Sequence, residues 1–182
     1  MPDWKHRCSP RPFRPSVVAI FVAAAGVSAL ATGSLFARAG QGPALLLNGS
    51  PSEPPGLYLR AQGPARTGAI IAFRAPAAAF PYADRHMPYL HQRPLLKAVA
   101  AVAGDMVCTH GETLAINGIT RATIQTRDRE GRALPHWSGC RSLRADELFV
   151  FSARVPNSFD SRYYGPVNQR AVLGVYRLVG DL

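Results

Sequence analysis

The chain has 182 residues, 47% of them hydrophobic, with 16 glycines and 16 prolines. That suits one turn-rich folded domain with a real core and excludes a disordered or low-complexity chain. The formal net charge of +10 would suit an anionic membrane or a nucleic acid, but the basic residues are spread out and no nucleic-acid motif accompanies them, so direct nucleic-acid binding is set aside.

In chain order, residues 1–15 carry Lys5, Arg7, Arg11 and Arg14 against a single Asp3 and read as a basic cytoplasmic tail. Residues 16–37 hold no charge. At the rise of an α-helix this stretch covers about 33 Å, enough to cross the hydrocarbon core. The basic flank comes first, so the positive-inside rule leaves 1–15 in the cytoplasm and places residues 38–182 in the periplasm, behind a single inner-membrane span. The competing reading is a cleavable signal peptide, since Ala37-Arg38-Ala39 resembles an A-x-A site. The apolar run exceeds the roughly 7–15 residues usual for such a peptide, which favours an uncleaved anchor. Either way the remainder is exported.

The exported part opens with a connector and an apolar strand over 44–47. A polar turn with prolines at 51, 54 and 55 follows, where neither a regular helix nor a central strand can form. Strands are expected over 57–60 and 68–73, and a loop with a short helix over 75–94. Residues 95–102 are apolar on both alternating faces, as in a buried strand, and end at the Gly104-Asp105 turn. Extended structure resumes over 106–109. Asn117-Gly118 between apolar neighbours signals a tight hairpin, with 122–126 pairing nearby. Further strands are expected over 147–151 and 172–179, with a polar, aromatic loop over 157–166 between them. Many short strands without a long amphipathic helix argue for a mainly β domain after one N-terminal membrane helix.

Only two of the 21 basic residues are lysines, Lys5 and Lys97. Arginine keeps its proton near neutral pH, whereas a desolvated lysine can lose it. A lysine inside Leu95-Leu96-Lys97-Ala98-Val99 therefore suggests a neutral amine acting as general base; the alternative is a lysine snorkelling to the surface. Cys8 falls in the tail as a free thiol. Cys108 and Cys140 are the two exported cysteines, in an oxidising space where such a pair is normally bridged. No CxxC or HExxH motif occurs, His86 and His91 are only loosely spaced, and neither a metal nor another cofactor is expected.

Three segments match a known pattern. Asn48-Gly49-Ser50-Pro51-Ser52-Glu53-Pro54-Pro55-Gly56-Leu57-Tyr58 resembles the nucleophile motif of the TraF-type conjugative-transfer peptidases, relatives of type I signal peptidase, which reads N-x-[S/T]-x-S-x-P-x-G-L-Y. Lys97 through Gly104-Asp105 resembles the family's lysine box, K-R-V-x-x-x-P-G-D. Residues 157–167 resemble its N-S-F-D-S-R-Y-F-G-P-V box. Ala98 and Ala103 depart from the second box, which puts local turn geometry in question but touches no reacting group.

The resemblance implies a compact signal-peptidase-like β domain and a Ser-Lys dyad, with Ser52 as nucleophile and Lys97 as general base. It implies that Ser50 helps hold the oxyanion together with the Ser52 backbone N–H, that Ser158 lies near the lysine amine, and that Asp160 orients the site or pairs with Arg162. The implied partner is a membrane-associated pilin precursor, cleaved and, in some members, cyclised. Two other functions compete: a general signal peptidase, and a non-catalytic component of an envelope assembly. The second would have no reason to keep the only exported lysine in an apolar strand. A Ser-His-Asp triad would need a motif such as G-x-S-x-G, which the five histidines lack. The exported part keeps 17 Arg and Lys against 10 Asp and Glu, a balance suited to anionic headgroups.

Overall fold

The computed structural model describes residues 42–182; the tail and anchor expected over 1–37 lie outside the described residues. Among the described residues no helix is long and apolar enough to cross a membrane. The proline-rich turn is carried by a hairpin of β1 (Leu45–Asn48) and β2 (Gly56–Ala61), with Leu47 opposite Leu57 and Asn48 opposite Gly56. Gly56 is required by close approach: a Cβ there would sit 2.2 Å from the Gly180 carbonyl oxygen.

β3 (Ile70–Phe73) and β4 (Leu95–Ala101) pair antiparallel, with Ile71 opposite Lys97. Between them runs the short helix α1 (Phe80–His86), flanked by single-turn 3-10 helices at Ala77–Ala79 and Pro88–His91. β5 (Met106–His110), β6 (Thr113–Ile116) and β7 (Ile119–Thr123) form a meander. Asn117 (φ 50°) and Gly118 (φ 77°) make the tight turn that their pairing signals. β7 takes Ala122 and Thr123 from the run expected as a separate strand.

β8 (Cys140–Ser142), which no local signal announces, pairs with β5. β9 (Glu147–Val150) is followed by the one-turn helix α2 (Ser161–Tyr164), β10 (Val167–Asn168) and β11 (Val172–Asp181). Residues 157–166, expected as loop throughout, contain α2. Asp160 caps it by accepting from the Arg162 N–H, and Gly165 (φ 81°) ends it. A helix this short has no periodicity to read.

The strands form two sheets, one of seven in the order β1-β2-β11-β3-β4-β9-β10 and one of four in the order β7-β6-β5-β8. The mainly β class expected from the sequence is the observed one. β9 runs through the centre of the core, buried on both faces: Leu148 and Val150 pack with Ile71, Val99 and Val167, while Phe149 packs with Val107, Leu114 and Ile116. On β4 every second residue is buried, so Lys97 shares the inward face with Val99. The turn closing β4 forms with alanine at 103. Asp105 accepts from the Val102 N–H at 2.8 Å and from Asn117 at 2.9 Å.

Candidate active site

The turn between β1 and β2 is held from within. Asn48 donates to the carbonyls of Ser50, Glu53 and Pro54 at 3.0, 3.2 and 3.1 Å and accepts from the Ser50 N–H at 3.0 Å. The buried Tyr58 hydroxyl donates to the Pro54 carbonyl at 2.8 Å. These bonds replace the ladder that prolines deny the segment. Ser52 emerges from this cage 4% exposed.

Lys97 reaches Ser52 from β4. Its Nζ donates to the Ser52 Oγ, and the residue is 5% exposed. Burial pulls the amine below the ordinary lysine value; the Asp160 and Glu53 carboxylates oppose the shift, and Arg162 adds to it. The Ser50 and Ser52 hydroxyl oxygens are 3.0 Å apart, and the Ser52 N–H points to the Ser50 Oγ at 3.4 Å. A hydroxyl and a backbone N–H thus stand beside the Ser52 hydroxyl.

Asp160 touches neither Ser52 nor Lys97 by a hydrogen bond. Its carboxylate takes a bidentate pair from Arg162, at 2.8 and 2.9 Å, and accepts from the Ser152 N–H at 3.2 Å. The Ser152 hydroxyl in turn donates to the Ser52 carbonyl. Asp160 is therefore connected to the serine through Ser152. Arg162, 1% exposed, also donates to the carbonyls of Ser158 and Thr123 and lies over the rings of Phe151 and Tyr163. Ser158 lines the same cleft as Lys97, yet its buried Oγ has no hydrogen-bond partner among the described residues.

Two recesses meet at Ser52 and Lys97. One, of about 410 Å³, runs between α1, the 128–132 loop and Asn157 to Phe159. Tyr82 of α1 holds that loop through Asp128 at 2.5 Å. The other, of about 370 Å³, is lined by Leu46 and Leu47 of the edge strand β1 and by Leu90, Leu95 and Leu96. Outside the lining of both recesses, Cys108 and Cys140 face each other across β5 and β8, with Cα atoms 3.9 Å apart and their sulfurs in bonding contact. His110 lies beside them.

Ser52, Lys97, Ser50, Ser158, Asp160 and Arg162 thus converge from three separate segments. The sequence reading missed Glu53 and Ser152. The carboxylate of Glu53, a buried residue, accepts from the Ala98 N–H at 2.9 Å. A lone acidic residue in a proline-rich turn was a signal for Glu53; Ser152 offered none, since its partner is 100 positions away.

A buried serine and lysine hydrogen bonded at the floor of an open cleft in a mainly β domain are the arrangement of a serine-peptidase-like protein. A family model for signal peptidases, peptidase S26, matches residues 15–180, and the chain belongs to this family. Within it the chain is of the TraF type. It is 30% identical to a plasmid transfer protein TraF from Escherichia coli, over 89% of this chain and 94% of the relative. It is 31% identical to the conjugal transfer protein TraF of Agrobacterium fabrum, over 73% and 80% of the two chains. A solved signal peptidase I from Enterococcus faecalis aligns with 63% of this chain and 97% of its own at 23% identity, with a TM-score of 0.39.

Proposed function

We propose that this protein is a membrane-anchored serine endopeptidase that uses Ser52 and Lys97 to mature a pilin precursor for conjugative transfer. The observation that carries the reading is the hydrogen bond from the buried Lys97 amine to the Ser52 hydroxyl. A serine hydroxyl needs a base within hydrogen-bond reach, and a desolvated lysine can be that base near neutral pH. The neutral amine takes the Ser52 proton as Oγ attacks the substrate carbonyl. The Ser50 hydroxyl and Ser52 N–H receive the developing oxyanion. The protonated amine then gives its proton to the leaving nitrogen, and water or a substrate amine releases the acyl group.

The recesses on either side of Ser52 suit an extended polypeptide, with the leucine-lined one taking an apolar or small side chain. Asp160 and Arg162 are positioning residues that hold the nucleophile turn through Ser152. The catalytic domain, residues 38–182, works in the periplasm behind the span over 16–37, and there Cys108 and Cys140 form a disulfide. The conjugal-transfer names of the relatives support the substrate class.

Precursor processing in membranes tests this reading with S52A and K97R. Both variants are expected to insert, fold and accumulate uncut precursor, because arginine keeps the charge but cannot accept the proton. Normal processing by K97R would reduce Lys97 to a mere cation and remove the dyad.

A further inference from the structure

β4 pairs with β9 through Val99 opposite Val150, and β9 ends at Val150. One position back along β4 the Ala98 carbonyl still accepts from the Phe151 N–H at 3.1 Å. The Ala98 N–H, on the same side, is taken by the Glu53 carboxylate instead of by a strand. The residue after the serine is thereby tied to the residue after the lysine, across 45 positions of sequence. Glu53 is itself fixed, since its carbonyl accepts from Asn48 at 3.2 Å.

Charge gives this contact a second consequence. The groups facing the Lys97 amine are Glu53 from the nucleophile turn and Asp160 and Arg162 from the start of α2, with Arg154 acting on Glu53. Across the open cleft stand His86 and the loop bearing Asp128, Arg129, Glu130 and Arg132. Asp160 is already engaged by both arms of Arg162. Among the described residues Glu53 makes no ion pair; burial pushes its carboxyl up, while the Lys97 and Arg154 charges favour its ionised form.

We propose that Glu53 is a positioning residue for the Ser52 and Lys97 pair. It sets the register of β4 on the nucleophile turn through the Ala98 N–H, and its negative charge joins that of Asp160 in favouring the protonated Lys97 amine. The functional part of this inference rests on Lys97 acting as the base. A buried carboxylate favours the protonated amine. Removing its charge while keeping its acceptor, as in E53Q, releases the proton at lower pH and extends activity toward acid. E53A removes acceptor and charge together, leaving the half-buried Ala98 N–H unpaired and the lysine strand loose.

The chain's two lysines make the test direct. In full-length protein labelled with 13C-lysine and held in detergent micelles, Lys5 and Lys97 give one side-chain signal each, and Lys5 serves as internal reference. The Lys97 midpoint is expected to fall by about one pH unit in E53Q, with the acid limb of kcat/KM for precursor processing moving the same way. E53A is expected to lose most processing at every pH while E53Q retains it. An unmoved Lys97 midpoint in E53Q would overturn the proposal, as would E53A processing like wild type. A wild-type midpoint at the ordinary lysine value would sink the base reading alone, because the effect of Glu53 on that midpoint is read without any turnover.

Discussion

The Lys97 amine lies on the inward face of β4 beside Val99, so its protonated form carries a desolvation penalty that its neutral form escapes. The same penalty that would ready it as the proposed base weighs against the fold. The unfolded chain binds the Lys97 proton up to about pH 10.5, whereas the folded chain releases it at lower pH. Between those two pKa values stability falls as pH is lowered, and below the folded value the loss is complete. K97M lacks this loss. It is expected to unfold at higher temperature than wild type at neutral pH, by on the order of 1 kcal/mol, with the gap closing above pH 10.5. A calorimetric series across pH checks the sign. On the proposed function, processing should decline as pH falls through the lowered Lys97 pKa, and not in the carboxylate range. Lys97 was legible as an anomaly of composition, a lysine where the exported chain otherwise writes arginine. Its contact with Ser52 was legible only through the resemblance of the two segments to a family pattern, since no local signal joins residues 45 positions apart.

The turn that carries Ser52 shows how an element without a ladder of its own is kept rigid. Asn48 makes four hydrogen bonds inside it, and N48A is expected to destabilise the protein by about 2 kcal/mol. Processing should fall more than that loss explains, because Ser52 would no longer be aimed at Lys97. Parallel denaturation and kinetics on the same preparation separate the two effects. The loop before α2 is fixed by a buried ion pair, and removing one partner leaves an uncompensated charge in the core. R162A should therefore lose about 3–5 kcal/mol, measured by urea unfolding, and more than a variant of the exposed Arg132 to Glu130 pair. The prolines announced the turn, and the Asn-Ser-Phe-Asp-Ser-Arg run announced a special loop. The sequence did not show that Asp160 works on the turn through Ser152. Nor did it show α2, a helix stabilised by its cap and its burial with no propensity run behind it.

At the scale of the molecule, β8 is stitched to β5 by Cys108 facing Cys140. Restraining a loop of 32 positions should contribute roughly 3–4 kcal/mol on the chain-entropy account. C108S/C140S is expected to unfold at correspondingly lower denaturant while keeping its processing rate when folded, because neither cysteine lines the cleft. Equal midpoints with and without reductant would show that the pair contributes nothing. The sequence by itself determined the mainly β class, most strand positions, the hairpin at Asn117-Gly118 and the three segments that meet at the Ser52 and Lys97 cleft. Alternation, turn residues and motif spacing are local properties, written within a few residues of where they act. Only the tertiary structure decided that β11 enters the large sheet between β2 and β3, that β9 is buried on both faces, and that Glu53 and Ser152 bond to the segments bearing Lys97 and Ser52. Those outcomes depend on which distant segments share a core and where a strand ladder runs out, and no local stretch of sequence encodes either.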